Sequence, residues 1–343
     1  MAAPASRSPG AFARFFDKAG MLVVLAIIFL LCSLGVDNFF SLVNMRGLAL
    51  AVSMTGMVSC TMLFCLAAGD FDLSVGSVVA CAGVLAAVVM NRTDSVTLGI
   101  LAGLGAGALV GFVNGYVVAK LRINALITTL ATMQIVRGLG YLTSDGIAVG
   151  IRRDAFFSLG NSSFPRTAVS WWLHLGLSPA NAGQIAQGIP TPVWIMIGCF
   201  AVFGFILNRT VFGRDTLAVG GNPEASHLAG IAVDRVKIVI FTAQGVMAAF
   251  AGIVLASRVT SGQPRTSEGF ELEVISACVL GGVSLTGGVG SMGFVIAGVL
   301  IMGIVQNAMN LLNVPTFYQY VARGVILLAA VLFDRWKRRK SGA

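Results

Sequence analysis

Apolar runs long enough to cross a lipid bilayer recur along almost the whole 343-residue sequence. A membrane-spanning helix needs roughly 17 to 25 predominantly apolar residues to cross about 30 Å of hydrocarbon. The pattern predicts ten spans, at residues 20–36, 47–68, 74–90, 98–119, 123–142, 192–208, 238–256, 271–286, 291–312 and 316–333. The runs are continuous, whereas a transmembrane strand alternates apolar and polar positions. The sequence therefore predicts an all-α polytopic membrane protein.

The composition leaves no room for a soluble domain. Hydrophobic residues make up 57% of the chain and charged residues only 11%, so there is too little polar surface to cover a globular fold. We expect one transmembrane domain at residues 20–335 in a lipid bilayer. A segment of residues 1–19 precedes this domain, and a basic tail of residues 336–343 follows it.

The distribution of Lys and Arg predicts the orientation, because loops on the cytoplasmic side are enriched in these residues. With a cytoplasmic N-terminus, 14 of the 23 fall in the inside segments 1–19, 120–122, 209–237 and 335–343. We therefore expect both termini in the cytoplasm. The net charge of +9 then reflects topology, and no basic stripe with interleaved aromatic residues predicts nucleic-acid binding.

The connection on the outside, at about residues 143–191, is long enough to hold structure of its own. It contains Trp171 and Trp172. Tryptophan concentrates at the headgroup level of membranes, so we expect a short interfacial helix around these two residues.

The connection on the inside, at about residues 209–237, contains the string RTVFGRDTLAVGGNPEASHLAGIAVDR. Asn222 is a good helix N-cap and Pro223 suits the first helical position. Glu224 favours the positive end of the helix dipole, and Gly230 is a C-terminal stop. We expect a capped helix of about two turns, outside the bilayer.

The residues that would support enzymatic chemistry are missing. The sequence has no phosphate-binding G-x-x-x-x-G-K-[ST] motif, no H-E-x-x-H and no G-x-S-x-G. Its two histidines, His174 and His227, lie in predicted loops on opposite sides. We expect neither a catalytic residue nor a bound metal or cofactor in this chain.

Glycine recurs at every fourth position through the fourth predicted span. At 3.6 residues per turn these glycines form a ridge that winds slowly around the helix, and such a ridge lets another helix approach to backbone contact. Packing within one subunit is the preferred interpretation, and contact between subunits is the alternative. The glycines are Gly99, Gly103, Gly107, Gly111 and Gly115.

Two carboxylates, Asp70 and Asp72, interrupt the apolar string LFCLAAGDFDLSVGSVVACAG. The alternation of spans places both at a cytoplasmic helix end, where they avoid the ~2.5 to 3.5 kcal/mol cost of the bilayer centre. Asp72 is then expected to be the N-cap of the third span. The alternative is that breaks at Gly69 and Gly76 let this loop line a path across the membrane, where the carboxylates contact a polar solute or act as a gate.

Other polar side chains within predicted spans are further candidates to line such a path. Arg137 and Arg323 are the most costly to bury, so each is expected to face a partner, a wet cavity or the interface. The uncharged candidates are Asn114, Gln134, Gln306, Asn307 and Asn310.

Two internal similarities point to different repeats. The string GDFDLSVGS is similar to GGVSLTGG at residues 281–288, six spans later. The pair Arg137-Gly138 is similar to Arg323-Gly324, five spans later. The two offsets cannot both report one duplication.

The inside connection also carries a family resemblance. Its string EASHLAG, residues 224–230, resembles the EAA-x3-G signature of ABC-importer permeases, with Ser226 in place of the second Ala. Over residues 20–335, apart from the outside connection near 160–190, the chain resembles the sugar-permease branch of that superfamily. The supporting strings are MLFCLAAGDFDLSVGS, INALITTLATMQIVRG, GRDTLAVGGNPEA, VISACVLGGVSL, QNAMNLLN and RGVILLAAVLFDR.

The resemblance implies a vitamin-B12-importer-like core, in which spans 2–5 and 7–10 are related by an inverted pseudo-twofold, in a homodimer of the bacterial inner membrane. It implies a periplasmic sugar-binding protein and a separate ATPase that binds ATP and Mg²⁺. The sugar would be L-arabinose before another pentose or a hexose. A stand-alone channel or secondary carrier is the alternative and needs no ATPase dock. The residues implied in docking the ATPase are Asn222, Pro223, Glu224, Ala225, Ser226, Leu228 and Gly230.

Overall fold

The computed structural model describes residues 11–174 and 178–341. Its helices are α1 (Ala11–Gly35), α2 (Leu42–Ala67), α3 (Val75–Thr93), α4 (Val96–Ala119), α5 (Ala125–Ser144), α6 (Asp154–Asn161), α7 (Val169–His174), α8 (Pro179–Ala186), α9 (Thr191–Arg209), α10 (Val211–Gly221), α11 (Pro223–Leu228), α12 (Val233–Arg258), α13 (Phe270–Leu280), α14 (Met292–Leu311) and α15 (Thr316–Ser341). Its strands are β1 (Val149–Gly150), β2 (Ser163–Phe164), β3 (Ile189–Pro190) and β4 (Ser261–Gly262).

Seven of the described helices, α2, α3, α4, α5, α9, α12 and α14, are long and apolar enough to cross a membrane. Helices α1 and α15 contain the shorter apolar stretches Gly20–Gly35 and Thr316–Leu332. Beside the helices, only the two-residue pairs β1–β4 and β2–β3 are extended ladders within the described residues. An all-α polytopic membrane protein, as expected from the apolar runs, is confirmed.

Helix α13 corrects the eighth predicted span, residues 271–286. It has 11 residues and is therefore about 16 Å long, which is too short to cross a bilayer. The helix ends because Gly282 adopts a φ of 74° and the amides of Gly282 and Val283 donate to the carbonyls of Val279 and Cys278. This is the glycine-terminated helix end known as a Schellman motif, and a loop follows as far as Ser291.

The terminal helices α1 and α15 extend beyond the predicted transmembrane domain, residues 20–335. Residues 11–19 of the predicted N-terminal segment already belong to α1, and residues 336–341 of the predicted tail continue α15. Residues 1–10 and 342–343 lie outside the described residues. The outside connection contains α6, α7, α8 and three of the four strands, and α7 covers Trp171 and Trp172 as predicted.

Helix α2 is the centre of the bundle. It begins at the N-cap Ser41, whose side chain accepts a hydrogen bond from the amide of Asn44, and every residue from Val52 to Ala67 is buried. Such all-round apolar burial is typical of a helix enclosed by others. Helices α9, α12, α13 and α14 pack around it.

The packing pattern repeats at an offset of five predicted spans. Helix α3 packs on α4, α5 and α12, and α13 packs in the same way on α14, α15 and α2. Likewise α4 packs on α12, and α14 packs on α2. This correspondence of α2–α5 with α12–α15 agrees with the similarity between Arg137-Gly138 in α5 and Arg323-Gly324 in α15.

The glycine ridge of α4 packs within the subunit, against α3 and α12. A methyl group added at Gly99 would lie 2.7 Å from the carbonyl oxygen of Ala86 in α3, and one at Gly107 or Gly111 would collide with the backbone of Gly245 or Phe241 in α12. The contact is reciprocal, since a methyl at Gly245 of α12 would collide with the carbonyl of Gly107 in α4. The backbones of α4 and α12 therefore touch, which no larger residues would allow.

Candidate functional site

A cavity of ≈ 280 Å³ opens between α2, α12, α13 and α14. This volume is close to the lower end of the range for small-molecule sites. Apolar side chains form much of its wall, and polar side chains project from several helices. The polar lining residues are Thr55, Arg258, Ser267, Glu273, Gln306, Asn307 and Asn310.

Glu273 is the carboxylate of this cavity. It lies in the first turn of α13, and its Oε1 accepts a 2.7 Å hydrogen bond from the hydroxyl of Thr55 in α2. Its Oε2 lies 3.7 Å from Nη1 of Arg323 in α15. Three helices thus meet at one partly buried acidic group, which has an arginine on one side and the cavity on the other.

Gln306, Asn307 and Asn310, three of the uncharged side chains within predicted spans, line the cavity wall. Asn307 and Asn44 exchange two amide hydrogen bonds of 2.8 Å, which join α14 to the first turn of α2. Asn310 accepts a 2.9 Å hydrogen bond from the side chain of Gln319 in α15. These amides both line the cavity and fix the helices that enclose it.

Asn114 and Gln134 lie elsewhere. Asn114 is fully buried, donates to the hydroxyl of Ser74 at 3.0 Å and accepts from the hydroxyl of Thr132 at 2.7 Å. Its amide therefore ties α4 to α5 and to the start of α3, and it does not line the cavity. Gln134 is exposed on the outer face of α5.

The two intramembrane arginines face partners, as their cost of burial requires. Arg137 donates to the carbonyls of Pro264, at 3.2 Å, and Thr266, at 2.7 Å, and so holds the turn before α13. Arg323 lies beside Glu273 and 5.5 Å from the centre of the Tyr320 ring.

Asp72 is not the N-cap of α3, which corrects the capping prediction. The N-cap is Ser74, and Asp72 accepts hydrogen bonds from the Ser74 amide at 2.8 Å and from its hydroxyl at 2.6 Å. This Asx turn, which starts two residues before the N-cap, organises the approach to the helix. Burial raises the pKa of the Asp72 carboxyl to about 6, although both hydrogen bonds from Ser74 lower it.

Asp70 precedes this turn and is also buried. Its Oδ2 lies 2.8 Å from Nζ of Lys237 in the second turn of α12. Burial raises the pKa of the Asp70 carboxyl, and the charge of Lys237 opposes that shift. Both aspartates therefore lie in one turn between α2 and α3, well away from Glu273, since Thr55 and Ala67 are separated by about 18 Å along α2.

The turn after α2 has a counterpart after α13. Helix α2 ends with Gly69 at φ 82°, and α13 ends in the same way at Gly282. Asp72 then accepts from the amide of Ser74 at 2.8 Å, while Ser284 accepts from the amide of Thr286 at 3.2 Å. The amide of Gly288 donates to the carbonyl of Ala67 at 2.8 Å. The similarity between GDFDLSVGS and GGVSLTGG thus reflects two matching helix ends that pack together.

Helix α11 is the capped helix expected in the inside connection, and its predicted local structure is confirmed. The side chain of Asn222 accepts a 2.9 Å hydrogen bond from the amide of Ala225, and Pro223 opens the helix. After the helix, Gly230 has a φ of 88°, and the amide of Ile231 donates to the carbonyl of Ser226.

Most of α11 projects from the bundle. Ser226 is buried, whereas the other α11 residues and their caps are exposed, and Leu228 is 88% exposed. A leucine so exposed at the tip of a short, rigid helix is well placed to be covered by another protein. The preceding helix, α10, was not separately predicted, and the last residues of the predicted loop already belong to α12.

Sequence reasoning missed Thr55, Lys237 and Glu273 as site residues. Glu273 and Lys237 each lie within about one turn of a predicted span end, where a charge needs no special explanation. Their partners are far away in the sequence, so no local signal could have revealed them. Within residues 11–174 and 178–341, no group of three or more His, Cys, Asp or Glu side chains is placed to bind a metal ion.

Comparison of the sequence with known proteins assigns this chain to a family. Residues 44–331 match the family model described as branched-chain amino acid transport system / permease component. The chain is 57% identical to the L-arabinose transport system permease protein AraH of Escherichia coli K12, over 98% of this chain and 95% of the relative.

Two further relatives cover almost the same length. The chain is 50% identical to the L-arabinose ABC transporter permease protein AraH of Azospirillum brasilense, over 99% of this chain and 94% of the relative. It is 34% identical to the ribose import permease protein RbsC of Escherichia coli K12, over 95% of this chain and 97% of the relative. No solved structure matches the chain. The family match extends over most of the polytopic bundle, so the chain belongs to the family of branched-chain amino acid transport system permease components.

Proposed function

We propose that this chain is the permease subunit of an ATP-driven L-arabinose importer in the bacterial inner membrane. The observation that carries the proposal is the exposed, doubly capped helix α11 in a chain 57% identical to an L-arabinose permease. A channel or secondary carrier has no use for such a docking helix. The chain itself contributes the path, and ATP and Mg²⁺ bind to a separate ATPase subunit.

The importer has ten membrane crossings per chain, and both termini are cytoplasmic. Seven crossings are the long apolar helices, α1 and α15 contribute two more, and α13 together with its flanking loops contributes the tenth, at the position of the eighth predicted span. The excess of Lys and Arg in the inside segments supports this orientation. In this orientation α11 and the Asp70 turn lie in or near the cytoplasm, and the cavity faces the periplasm.

The cavity is the periplasmic part of the sugar pathway. A neutral sugar presents hydroxyl groups, which carboxylate and amide side chains bind through directed hydrogen bonds in an otherwise apolar wall. Glu273, Gln306 and Asn310 provide such groups. A periplasmic sugar-binding protein delivers the sugar, and two copies of the chain form the complete path.

On the cytoplasmic side of the cavity, other helices enclose α2 within this chain. Met57, Leu63 and Leu66 are fully buried in the part of α2 that leads to the cytoplasmic side. Transport therefore requires the helices around this part of α2 to move, and α11 is the element through which an ATPase can move them.

The test is to substitute the exposed tip of α11. Leu228→Asp should leave membrane insertion unchanged, because Leu228 makes almost no contact within the chain. It should abolish copurification of the ATPase and uptake of labelled L-arabinose. Leu121→Asp is the matched control, since Leu121 is an exposed leucine of another inside segment and should leave both unchanged.

Each outcome distinguishes the proposal from its alternatives. Uptake at wild-type levels in Leu228→Asp would overturn the docking role. Sugar uptake by the chain in vesicles without any ATPase would indicate a carrier or channel. A panel of L-arabinose, ribose and xylose identifies the sugar, and preference for ribose would contradict the arabinose assignment.

A further inference from the structure

The turn at residues 67–72, between α2 and α3, is held from both sides by the segment that carries α11. On one side, α10 ends against it. A methyl group at Gly220 would collide with the carbonyl of Ala67, and a methyl at Gly287 would lie 2.6 Å from the carbonyl of Gly220. The end of α10 is therefore packed backbone to backbone against the end of α2 and the loop that follows α13.

On the other side, α12 contacts the same turn through an ion pair. Only residues 229–232 separate the end of α11 from the start of α12. Lys237, in the second turn of α12, reaches Asp70 at 2.8 Å, and the two side chains are only 18% and 10% exposed. A displacement of α11 must therefore act on residues 67–72 at both ends.

A second ion pair on the same helix end provides an internal contrast. Asp234 pairs with Lys120 at the end of α4 at 2.7 Å, but these side chains are 44% and 50% exposed. An exposed pair contributes little because water screens it. Helices α4 and α12 are joined along the glycine ridge, whose last glycine, Gly115, packs on Ile238 of α12, so this ion pair is not what holds them together.

We propose that Asp70 and Lys237 form a cytoplasmic latch, which keeps the path closed while they are paired and opens when α11 moves α12 away from the α2–α3 turn. This inference rests on the proposed transport function. A buried ion pair is often no more stable than an apolar contact, because both charges lose their hydration. Its value here is that the pair has two defined states, since the two charges hold each other in the closed arrangement and water entering an open path would hydrate them separately.

A charge-exchange cycle tests the latch in the complete complex, with the ATPase and the binding protein, in proteoliposomes. Asp70→Asn and Lys237→Gln should each reduce the sugar transported per ATP hydrolysed by about tenfold or more, because one buried charge loses its partner. The double variant Asp70→Lys with Lys237→Asp should recover most of this ratio. Lys120→Gln and Asp234→Asn should leave it unchanged.

A cross-link provides a second measurement that does not depend on how well the charge variants fold. In a cysteine-free background, cysteines at Asp70 and Lys237 are joined by a short, reducible bis-thiosulfonate reagent, whose spacer takes the place of the longer Asp and Lys side chains. The cross-link should stop uptake and sugar-stimulated ATP hydrolysis, and reduction should return both to the level of the double-cysteine variant before cross-linking. The same cross-link between positions 120 and 234 should leave uptake unchanged.

The latch is overturned if the cross-linked Asp70–Lys237 complex transports at the wild-type rate, or if the single charge variants keep the wild-type ratio of sugar to ATP. Equal inhibition by both cross-links also overturns it, because α12 would then move relative to α4 as well. Failure of the proposed function is a separate result, in which the unmodified complex takes up no L-arabinose.

Discussion

The hydroxyl of Thr55 donates a 2.7 Å hydrogen bond to Oε1 of Glu273, and so joins the central helix to the first turn of α13 at the wall of the cavity. The other carboxylate oxygen faces Arg323 at 3.7 Å. A molecule in the cavity that contacts Glu273 would therefore contact a side chain of α13 that is joined to both α2 and α15.

Glu273→Gln should lower L-arabinose uptake by about tenfold or more, since it removes a partly buried negative charge and leaves Arg323 unpaired. The amide keeps an acceptor for Thr55, so membrane abundance should change little. Glu268→Gln, at an exposed glutamate just before α13, is the control. Normal uptake in Glu273→Gln at normal abundance would show that the pathway does not use this carboxylate.

Gly107→Leu should destabilise the folded protein by about 1 to 3 kcal/mol or more, because the side chain has no space between α4 and α12. Gly105→Leu should be close to neutral, since a methyl at Gly105 of the same helix meets nothing within 4 Å. Thermal unfolding of both variants in detergent measures the difference. Equal unfolding temperatures would contradict the contact between α4 and α12.

Asp72 should make the stability depend on pH. Its pKa is raised to about 6 in the folded state from 3.8, so the folded state binds more protons and the free energy of unfolding falls as pH rises through about 6. Asp72→Asn cannot ionise but still accepts from Ser74, and its unfolding temperature should fall less than that of the wild type between about pH 5 and pH 8.

Asp72→Leu provides the comparison for this effect. Leucine cannot accept the hydrogen bonds from Ser74, so this variant should be less stable than the wild type across the whole pH range. A wild-type protein and an Asp72→Asn variant with the same pH dependence would show that Asp72 keeps an ordinary pKa.

Cysteine labelling tests the orientation. In a cysteine-free background, a cysteine at Ser170 should react with an impermeant maleimide in intact cells, and a cysteine at Leu228 only after permeabilisation. Both positions are exposed, so failure to react reports the membrane and not burial within the chain. The opposite labelling pattern would invert the topology.

Local features of the chain were predictable because they depend on residues close together in the sequence. The long helices follow from runs of apolar residues that water does not accept, and α11 follows from Asn222 at its start and Gly230 after its end. The glycine ridge predicted close helix packing for the same reason, since a four-residue spacing places small residues on one face.

The predicted length of the eighth spanning helix was wrong because two local signals competed. The hydropathy of residues 271–286 is that of a span, yet Gly281 and Gly282 end the helix at Leu280. Asp72 was wrongly assigned as the N-cap because a carboxylate two residues before a helix can form an Asx turn as readily as a cap. Both choices depend on what packs around the turn.

The sequence by itself determined the membrane environment, the approximate positions of the long helices and the capped helix α11, since each results from interactions within a few residues or from the surrounding solvent. Only the tertiary structure decided which polar groups meet. Glu273 accepts a hydrogen bond from Thr55, 218 positions away in the sequence, and Asn114 donates to Ser74, 40 positions away. Lys237, in the second half of the chain, forms an ion pair with Asp70 in the first half. Their separations are set by how the helices pack against one another, and the local preferences of the chain carry no information about that distance.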